Sequence, residues 1–373
     1  NFRPHNKKSS QFFTTFVTDM ALLKLQLTNF RNYENHYFEF SEGLNCIVGK
    51  NGSGKTNLLD AIYFLAVCKS SIHNLDSLSI RFEEDYTMVE GKFEKELIGF
   101  SLQKAGKKIF FLDKKLSENL SAHTGKIPVV PIPPADPALI RDGSETRRKL
   151  FDGILSQLYS EYLKEYLKYN KALDQRNSLL KQFAENQHFD GDLLSIYTEQ
   201  LVSSGSVIHE YRKKFLDDFL PHFTSNYENI SENKETVNIE YISDWEKYEL
   251  ADIFDKNLNT DLAAQRTTRG IHKDDYVFSM DGMPVKKFGS QGQKKSFIMA
   301  IRMAQFEITA AAKEMKPILL LDDIFDKLDE KRIAKLIEMI EAGKFGQVFL
   351  TDARPKRTRE LLSKVSVNFL EIE

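Results

Sequence analysis

Gly49-Lys-Asn-Gly-Ser-Gly-Lys-Thr56 fits the pattern G-x-x-x-x-G-K-[ST] of the phosphate-binding P-loop. A short apolar segment, residues 44–48, precedes it, and a segment with helical periodicity, residues 57–66, follows it. This order predicts a strand, a loop and a helix, which is the context that a P-loop requires. Glycines let the backbone of the loop wrap closely, so that its N–H groups and the start of the helix face phosphate groups. A glycine-rich turn that fits by chance is the alternative, and two later motifs argue against it.

The loop predicts a site for ATP and Mg²⁺. Lys55 is expected to reach the β- and γ-phosphates, and the Thr56 hydroxyl is expected to ligate Mg²⁺. The predicted nucleotide contacts here are Gly49, Lys50, Asn51, Gly52, Ser53, Gly54, Lys55, Thr56 and Asn57.

A second motif supplies two carboxylates. Residues 317–321 form an apolar strand pattern that ends in Asp322 and Asp323, which is typical of a Walker B strand. Asp322 is predicted to hold Mg²⁺, and Asp323 is predicted to orient or deprotonate the attacking water. Lys55 and Asp323 are therefore the predicted catalytic residues. A buried strand followed by an acidic turn is the alternative interpretation.

Composition limits the broad class of protein. The chain has 373 residues, enough for two or three domains, and its 52 Lys and Arg residues balance 54 Asp and Glu residues. A nucleic-acid surface would therefore have to be a local basic patch. Cys46 and Cys68 show no metal-binding spacing and are expected to be free thiols in a reducing cytoplasm. No apolar run reaches the ~20 residues of a membrane span, so we expect a soluble cytoplasmic protein without membrane contact.

The order of sequence patterns predicts a head that is split by a helical lobe. Residues 1–19 are expected to be a disordered extension, with Met20 as a plausible true start. Residues 20–127 and 265–373 are predicted to form the head, with an antiparallel β-subdomain near 80–115. Prolines between 128 and 137 predict a boundary. Residues 128–264 are predicted to form a mainly helical lobe with a hairpin near 144–220, whose second helix ends at Pro221.

A third motif, Ser290-Gln-Gly-Gln293, opens a predicted helix about 25 residues before the Walker B strand. It resembles the S-G-G-Q signature of ABC-type ATPases, with Gln291 in place of the first glycine. Such a helix start presents N–H donors and a hydroxyl to an anion. The resemblance implies that Ser290, Gln291, Gly292 and Gln293 contact the nucleotide of a partner subunit in a head-to-tail homodimer.

From Met20 to the C-terminus the chain resembles the RecF family, bacterial recombination-mediator ATPases related to the SMC proteins. The matching stretches include the segment around Arg31, the P-loop with its helix, the run 147–152, the segment 169–177, the loop 270–275 and the Walker B region. The family carries Pro at the position of Ile271 and Arg at that of Lys273. The resemblance implies an α/β fold, with an ABC-type P-loop ATPase head, an appended antiparallel β-subdomain and a helical second domain with a short coiled-coil arm. It also implies that Arg31 contacts the nucleotide.

The resemblance further implies an ATP-dependent DNA-binding homodimer in recombinational repair and replication restart. Single-strand gaps, junctions of single and double strands, and duplex DNA are the implied substrates, with RecR and RecO as partners and with roles in recombinase loading and the SOS response. No histidine ends the strand pattern at 347–351, where Thr351 and Asp352 stand, so we expect slow, switch-like hydrolysis. The residues that could track phosphates are Lys104, Lys107, Lys108, Lys114, Lys115, Arg147, Arg148 and Lys149.

Two other functions compete with this interpretation. A nucleotide-binding subunit of an ABC transporter would have a much shorter segment between Thr56 and Ser290. An SMC-like structural tether would need hundreds of heptad residues, whereas this chain has a short hairpin. Binding to DNA rather than to membranes would distinguish the DNA-binding protein from a transporter subunit.

Overall fold

The computed structural model describes residues 20–73, 75–117, 123–133, 137–231, 235–246, 250–327 and 330–373. The predicted extension at 1–19 lies outside them. The strands are β1 (Leu22–Phe30), β2 (Tyr33–Glu39), β3 (Leu44–Val48), β4 (Tyr86–Phe93), β5 (Leu97–Gln103), β6 (Lys108–Leu112), β7 (Lys115–Ser117), β8 (Val129–Ile132), β9 (Val237–Ile242), β10 (Asp275–Met280), β11 (Met283–Pro284), β12 (Ile318–Leu321), β13 (Val348–Asp352) and β14 (Val367–Glu371). The helices are α1 (Lys55–Val67), α2 (Pro137–Arg141), α3 (Ser144–Leu158), α4 (Ser160–Asn186), α5 (Gly191–Ser231), α6 (Leu250–Ala264), α7 (Val285–Phe288), α8 (Gln291–Lys313), α9 (Ile324–Lys327), α10 (Glu330–Glu341) and α11 (Pro355–Leu361). Short 3-10 turns lie at Asp76–Ser79, Asp244–Glu246 and Ile271–Lys273.

A five-stranded parallel sheet carries the predicted nucleotide site. Its strand order is β14-β3-β13-β12-β8. Strands β3, β12 and β13 are buried along their whole lengths, as mainly apolar strands are in a parallel sheet covered on both faces. The P-loop strand β3 and the Walker B strand β12 are separated by β13, so the end of β13 lies between the two motifs.

The edge of this sheet corrects the predicted domain boundary. Strand β8 pairs in parallel with β12, with Val130 opposite Leu319 and Pro131 opposite Leu320. The boundary predicted after residue 127 would cut this strand from its own sheet, so the head continues to Ile132. Proline is tolerated here because β8 is an edge strand, where a missing backbone N–H breaks no ladder on the open side.

A six-stranded antiparallel sheet, in the order β2-β1-β4-β5-β6-β7, packs on the head. The strands expected near 80–115 form, and β4 alternates buried and accessible positions as a half-buried strand should. Leu25, Val89 and Phe100 from its inner face pack with Phe64 of α1 in one core. The antiparallel β-subdomain is therefore fixed directly to the helix that follows the P-loop.

The long helices α4 and α5 form an antiparallel hairpin over 160–231, with Gln187 at positive φ in the turn between them. The hairpin was predicted near 144–220, but residues 144–158 form the separate helix α3. The prediction that Pro221 ends the second helix was wrong, since α5 continues through Pro221 to Ser231. A proline inside a helix costs about 3 kcal/mol because it removes a backbone hydrogen bond and crowds the preceding turn. Burial of Phe219 and Phe223 on both sides of it, with Phe223 against Phe297 of α8, offsets this cost.

One hydrophobic core joins the helical lobe to the first half of α8. Phe151 of α3 stacks on Tyr276 of β10 with ring centroids 4.0 Å apart, and Phe278 of β10 contacts Phe297 of α8 at 5.2 Å. The predicted boundary at residue 265 therefore divides a continuous core. The start of α8 is packed on the lobe rather than on the P-loop.

A buried ion-pair network stabilises the lobe around Arg212 of α5. Its guanidinium donates to both carboxylate oxygens of Asp152 at 3.0 Å and to Asp274 at 3.0 Å, while its exposed fraction is 1%. Tyr162 donates to Asp152 at 2.6 Å, and Tyr241 donates to Asp274. Removing one partner from such a network leaves buried charge uncompensated, which costs about 3–5 kcal/mol.

His272 makes stability depend on pH. Its Nδ1 lies 2.8 Å from the Tyr169 hydroxyl and its Nε2 lies 3.2 Å from the Thr267 carbonyl, and burial lowers the pKa of His272 to about 4. The unfolded chain binds a proton near pH 6.5, so this contribution is complete above pH 6.5 and is lost as pH falls toward 4. Between pH 7 and pH 5 the loss is about 2 kcal/mol. We expect His272→Gln to lose less stability than the parent over this interval, measured by urea unfolding.

The matched control for this experiment is His188→Gln. His188 is exposed in the turn between α4 and α5, so its replacement should leave the dependence on pH unchanged. Equal dependence on pH in the parent and in His272→Gln would contradict the assignment.

Candidate active site

The P-loop lies between the buried strand β3 and helix α1. Gly54 caps α1 with φ of +107°, a conformation that favours glycine. A Cβ at this position would come within 2.4 Å of Asn32 Nδ2 and 2.9 Å of the Tyr33 hydroxyl, so the turn between β1 and β2 packs closely on the loop. The Tyr33 hydroxyl donates to the Gly54 carbonyl at 3.0 Å. Glycine is therefore required at Gly54 both for its φ and for this close approach.

The side chain of Lys55 folds back onto the P-loop. Its Nζ donates to the carbonyls of Gly49 at 2.8 Å and Lys50 at 2.7 Å. Burial lowers the pKa of Lys55, and the negative charges of Asp323 and Asp322 oppose that effect. Lys55 is thus held on two loop carbonyls, where it also feels the charge of the two Walker B carboxylates.

The loop has the character of an anion cradle. Ser53 Oγ is buried without a hydrogen-bond partner in the described part of the chain. The positive φ values of Gly52 and Gly54 turn the backbone sharply beside the N-terminus of α1, where N–H groups favour phosphate. These features fit the triphosphate of ATP.

The two predicted metal ligands, Thr56 and Asp322, contact each other, and Thr351 contacts Asp322 as well. Thr56 Oγ1 donates to Asp322, with oxygen distances of 2.9 and 3.1 Å. Thr351 Oγ1 donates to Asp322 Oδ1 at 2.7 Å and accepts from the backbone N–H of Asp323 at 2.8 Å. Thr351 is fully buried at the end of β13, the strand between the two motifs. It orients both carboxylate residues, a role that the sequence did not suggest.

A hydroxyl next to a carboxylate matches the oxygen ligands that Mg²⁺ prefers. Thr56 and Asp322 would hold the ion, which would neutralise charge on the phosphates when bound. Asp323 follows Asp322 directly and has a positive φ of 47°. A cleft of about 450 Å³ opens beside Thr56 and Asp322, lined also by Leu59, Pro131 and Arg302. The described residues therefore offer space next to Thr56 and Asp322.

The signature residues lie at the start of α8. Ser290 is the N-cap, and its side chain accepts from the Gln293 backbone N–H at 3.2 Å, while Gln293 Oε1 accepts from the Ser290 backbone N–H at 2.7 Å. This is a capping box. Ser290 and Gln291 are exposed, and no hydrogen bond among the described residues joins 290–293 to the P-loop. The structure thus brings the P-loop and Walker B motifs together and leaves the signature apart from them.

Comparisons with known proteins agree with this geometry. Residues 20–330 match the family described as AAA ATPase domain. The DNA replication and repair protein RecF of Flavobacterium johnsoniae is 47% identical over 347 residues, which are 92% of this chain and 97% of that relative. The chain belongs to the RecF family. The family resemblance read from the sequence is confirmed.

Solved structures extend the match to the fold. The recombination mediator protein RecF-ATP in the RecFOR pathway superposes with a TM-score of 0.83 at 30% identity, covering 90% of this chain and 93% of that chain. An Smc head domain bound to the C-terminal domain of ScpA derived from Pyrococcus furiosus gives a TM-score of 0.52 at 16% identity, covering 95% and 94%. The second likeness concerns the fold alone. The RecF-family chain has the predicted ABC-type P-loop ATPase fold, which binds ATP.

Arg31, a predicted nucleotide contact, is held by side chains behind the P-loop in this RecF-family chain. Its guanidinium donates to Asp60 at 2.6 Å, to Asn57 at 3.0 Å and to Ser70 at 3.0 Å. Asp60 also accepts from the backbone N–H and the hydroxyl of Ser71, both at 2.6 Å. Arg31 therefore ties the turn after β1 to α1 and to the segment after it. A single Asp in the apolar pattern of α1 was the sequence signal for this cluster.

The basic residues fall into two groups. Arg147 pairs with both carboxylate oxygens of Asp275 at 2.8 and 2.9 Å, Arg148 donates to the Asp274 carbonyl, and Lys108 pairs with Asp76. Intramolecular partners thus occupy these three side chains, which weakens the expectation that they track phosphates. Lys149 pairs with Glu145 on the surface of α3. The exposed lysines of the predicted set on the β-subdomain are Lys104, Lys107, Lys114 and Lys115.

Proposed function

We propose that the chain is an ATP-dependent DNA-binding protein of recombinational repair and replication restart, in which ATP joins two copies and slow hydrolysis releases them. One observation carries the proposal. The P-loop and the Walker B carboxylates meet in one place, while Ser290 caps a helix elsewhere and faces solvent. A helix start with an exposed hydroxyl is an anion site, and the γ-phosphate on a second copy's P-loop is an occupant that matches it.

The chain's own residues divide the work at this site. Loop N–H groups and Lys55 bind the β- and γ-phosphates, and Lys55 must leave the carbonyls of Gly49 and Lys50 to do so. Thr56 and Asp322 would hold Mg²⁺, which would supply charge neutralisation on the phosphates. Asp323 orients the attacking water and takes its proton, with its backbone fixed by Thr351. Ser290 and the N–H groups of Gln291 and Gly292 from the second copy stabilise charge on the γ-phosphate.

Support for DNA binding comes from the names of the relatives and from two groups of exposed lysines. The relatives are named DNA replication and repair proteins, and one solved relative is described as a recombination mediator. The chain's formal net charge is −2, so binding must depend on concentrated basic surfaces. Lys104 and Lys107 lie in the turn between β5 and β6, and Lys114 and Lys115 in or beside the turn between β6 and β7, at the other end of β6. Dimerisation would double both groups.

The remaining parts of the proposal follow the family. Single-strand gaps, strand junctions and duplex DNA are the proposed substrates, RecR and RecO the proposed partners, and recombinase loading and SOS induction the proposed outcomes. The competing functions gain no support from an observation. The long segment between Thr56 and Ser290 argues against a transporter's nucleotide-binding subunit. Separately, no helix in the described parts of the chain has the length and apolar character needed to cross a bilayer. The hairpin helices α4 and α5 have 27 and 41 residues, short of a tether.

Exchanging charge at Lys104 and Lys107 tests the DNA proposal. We expect Lys104→Glu with Lys107→Glu to weaken DNA binding in ATP and to reduce the slope of log affinity against log salt. Each duplex phosphate contact contributes roughly −0.9 to that slope, so two lost contacts change it by about 2. Fluorescence anisotropy across salt concentrations, with and without ATP, measures both quantities. Lys108 is left unchanged because its ion pair with Asp76 is structural.

The matched control is Lys356→Glu with Lys364→Glu, which makes the same change in net charge at exposed positions elsewhere on the head. This control should retain the parent's slope. DNA affinity that ignores both ATP and salt in the parent protein would overturn the proposal.

A further inference from the structure

Both ends of the Gln293 side-chain amide are in use. Its Oε1 accepts from the backbone N–H of Ser290 at 2.7 Å and completes the capping box. Its Nε2 donates to Glu235 Oε1 at 2.8 Å. Gln293 cannot turn toward a nucleotide without breaking both bonds. Its side chain therefore shapes the turn that presents Ser290, and Glu235 holds that side chain in place.

Glu235 is itself fixed to the helical lobe. Its Oε2 accepts from the hydroxyl of Tyr227, at 3.3 Å, and Tyr227 is a fully buried residue of α5. The next residue, Thr236, exchanges two hydrogen bonds with Asp281 after β10, at 2.7 and 2.8 Å. The carboxylate thus has one oxygen on the lobe and one on the signature turn.

We infer that Glu235 is a positioning residue for the signature turn, and that through it the helical lobe sets the geometry with which Ser290 meets the nucleotide of a second copy. This inference rests on the dimer proposed above. Glu235 touches neither the P-loop nor the Walker B carboxylates among the described contacts, so it should affect association of two copies and leave ATP binding by one copy unchanged.

A pair of complementary substitutions tests the inference. Gln293→Glu keeps the capping box, because Glu at this position accepts the N-cap N–H as well as Gln does. It also places a carboxylate against the carboxylate of Glu235. We expect the ATP-induced dimer to weaken at least tenfold, since a hydrogen bond to a charged group is replaced by like-charge repulsion. Adding Glu235→Gln to the same chain returns an amide donor and should restore dimerisation to within about threefold of the parent.

The readouts are sedimentation velocity with ATP for the dimer and equilibrium binding of a fluorescent ATP analogue for the monomer. Glu235→Gln alone keeps an acceptor for Gln293 and should behave like the parent. A dimer of parental strength in Gln293→Glu, or no recovery in the double variant, would overturn the inference. Ser290→Arg in the same assay distinguishes failure of the proposed dimer from failure of the role of Glu235. A dimer that survives Ser290→Arg refutes the proposed function, whereas loss there without rescue in the double variant refutes the role of Glu235 alone.

Discussion

Replacing Asp323 with Asn is expected to lower the rate of ATP hydrolysis by about 10²–10⁴-fold, the usual contribution of a positioned general base. The amide has nearly the same shape, so the backbone N–H can still donate to Thr351. It cannot take a proton from water. Steady-state phosphate release measures the effect, and the ATP-bound dimer should last longer in proportion to the lost rate.

ATP affinity provides the control for this substitution. Asp323 takes no part in the hydrogen bonds of Lys55 with the P-loop or in the pairing of Thr56 with Asp322. Nucleotide binding should therefore change little in Asp323→Asn. Parental turnover in the variant would show that another group activates water. The next candidates would then be Asp329, which lies outside the described residues, or a group from the second copy.

Replacing Ser290 with Arg is expected to abolish the ATP-induced dimer. Ser290 is an exposed N-cap, so the substitution costs only about 1 kcal/mol of helix stability and the fold should survive. A long cationic side chain at this turn, however, would fill the space that the γ-phosphate of ATP on the second P-loop must occupy. Sedimentation velocity with ATP measures the loss.

Ser290→Ala is the matched variant for this test. It removes the same cap without adding bulk or charge, so it should weaken the dimer far less than Ser290→Arg does. ATP binding by the monomer should persist in both. A dimer of unchanged strength in Ser290→Arg would refute the head-to-tail arrangement.

The sequence was sufficient where a motif and its flanking periodicity had to agree. The P-loop needed glycines at fixed positions between a strand and a helix, and the Walker B carboxylates needed an apolar strand before them. Both patterns are local. Thr56 and Asp322 could be predicted to meet because P-loop ATPases use these two motifs to bind one Mg²⁺ ion. The strands of the β-subdomain were predictable for the same reason, because each alternates along its own length.

Tertiary packing explains what the sequence did not predict. Pro221 has the local character of a helix end, but aromatic burial on both sides carries α5 through it. Pro131 suggested a boundary, yet an edge strand accepts it. Arg147 and Arg148 were predicted to belong to a DNA-contacting basic run. In the structure, both bind residues 274–275, which are distant in the sequence. The roles of Thr351 and Glu235 depend on contacts between residues far apart in the chain, for which local pattern gives no signal.

The most direct test of the shared ATP site mixes two variants, neither of which should form the ATP-induced dimer by itself. In a head-to-tail dimer, Lys55→Ala damages one chain's P-loop and Ser290→Arg damages the other chain's signature. Both defects then fall in the same composite site, and the second site keeps an intact P-loop and an intact signature. With a fluorophore on one variant, sedimentation in ATP and Mg²⁺ should show a dimer in the mixture and monomers for each variant alone. Monomers in the mixture, from two variants that remain folded, would contradict an ATP site shared between two copies.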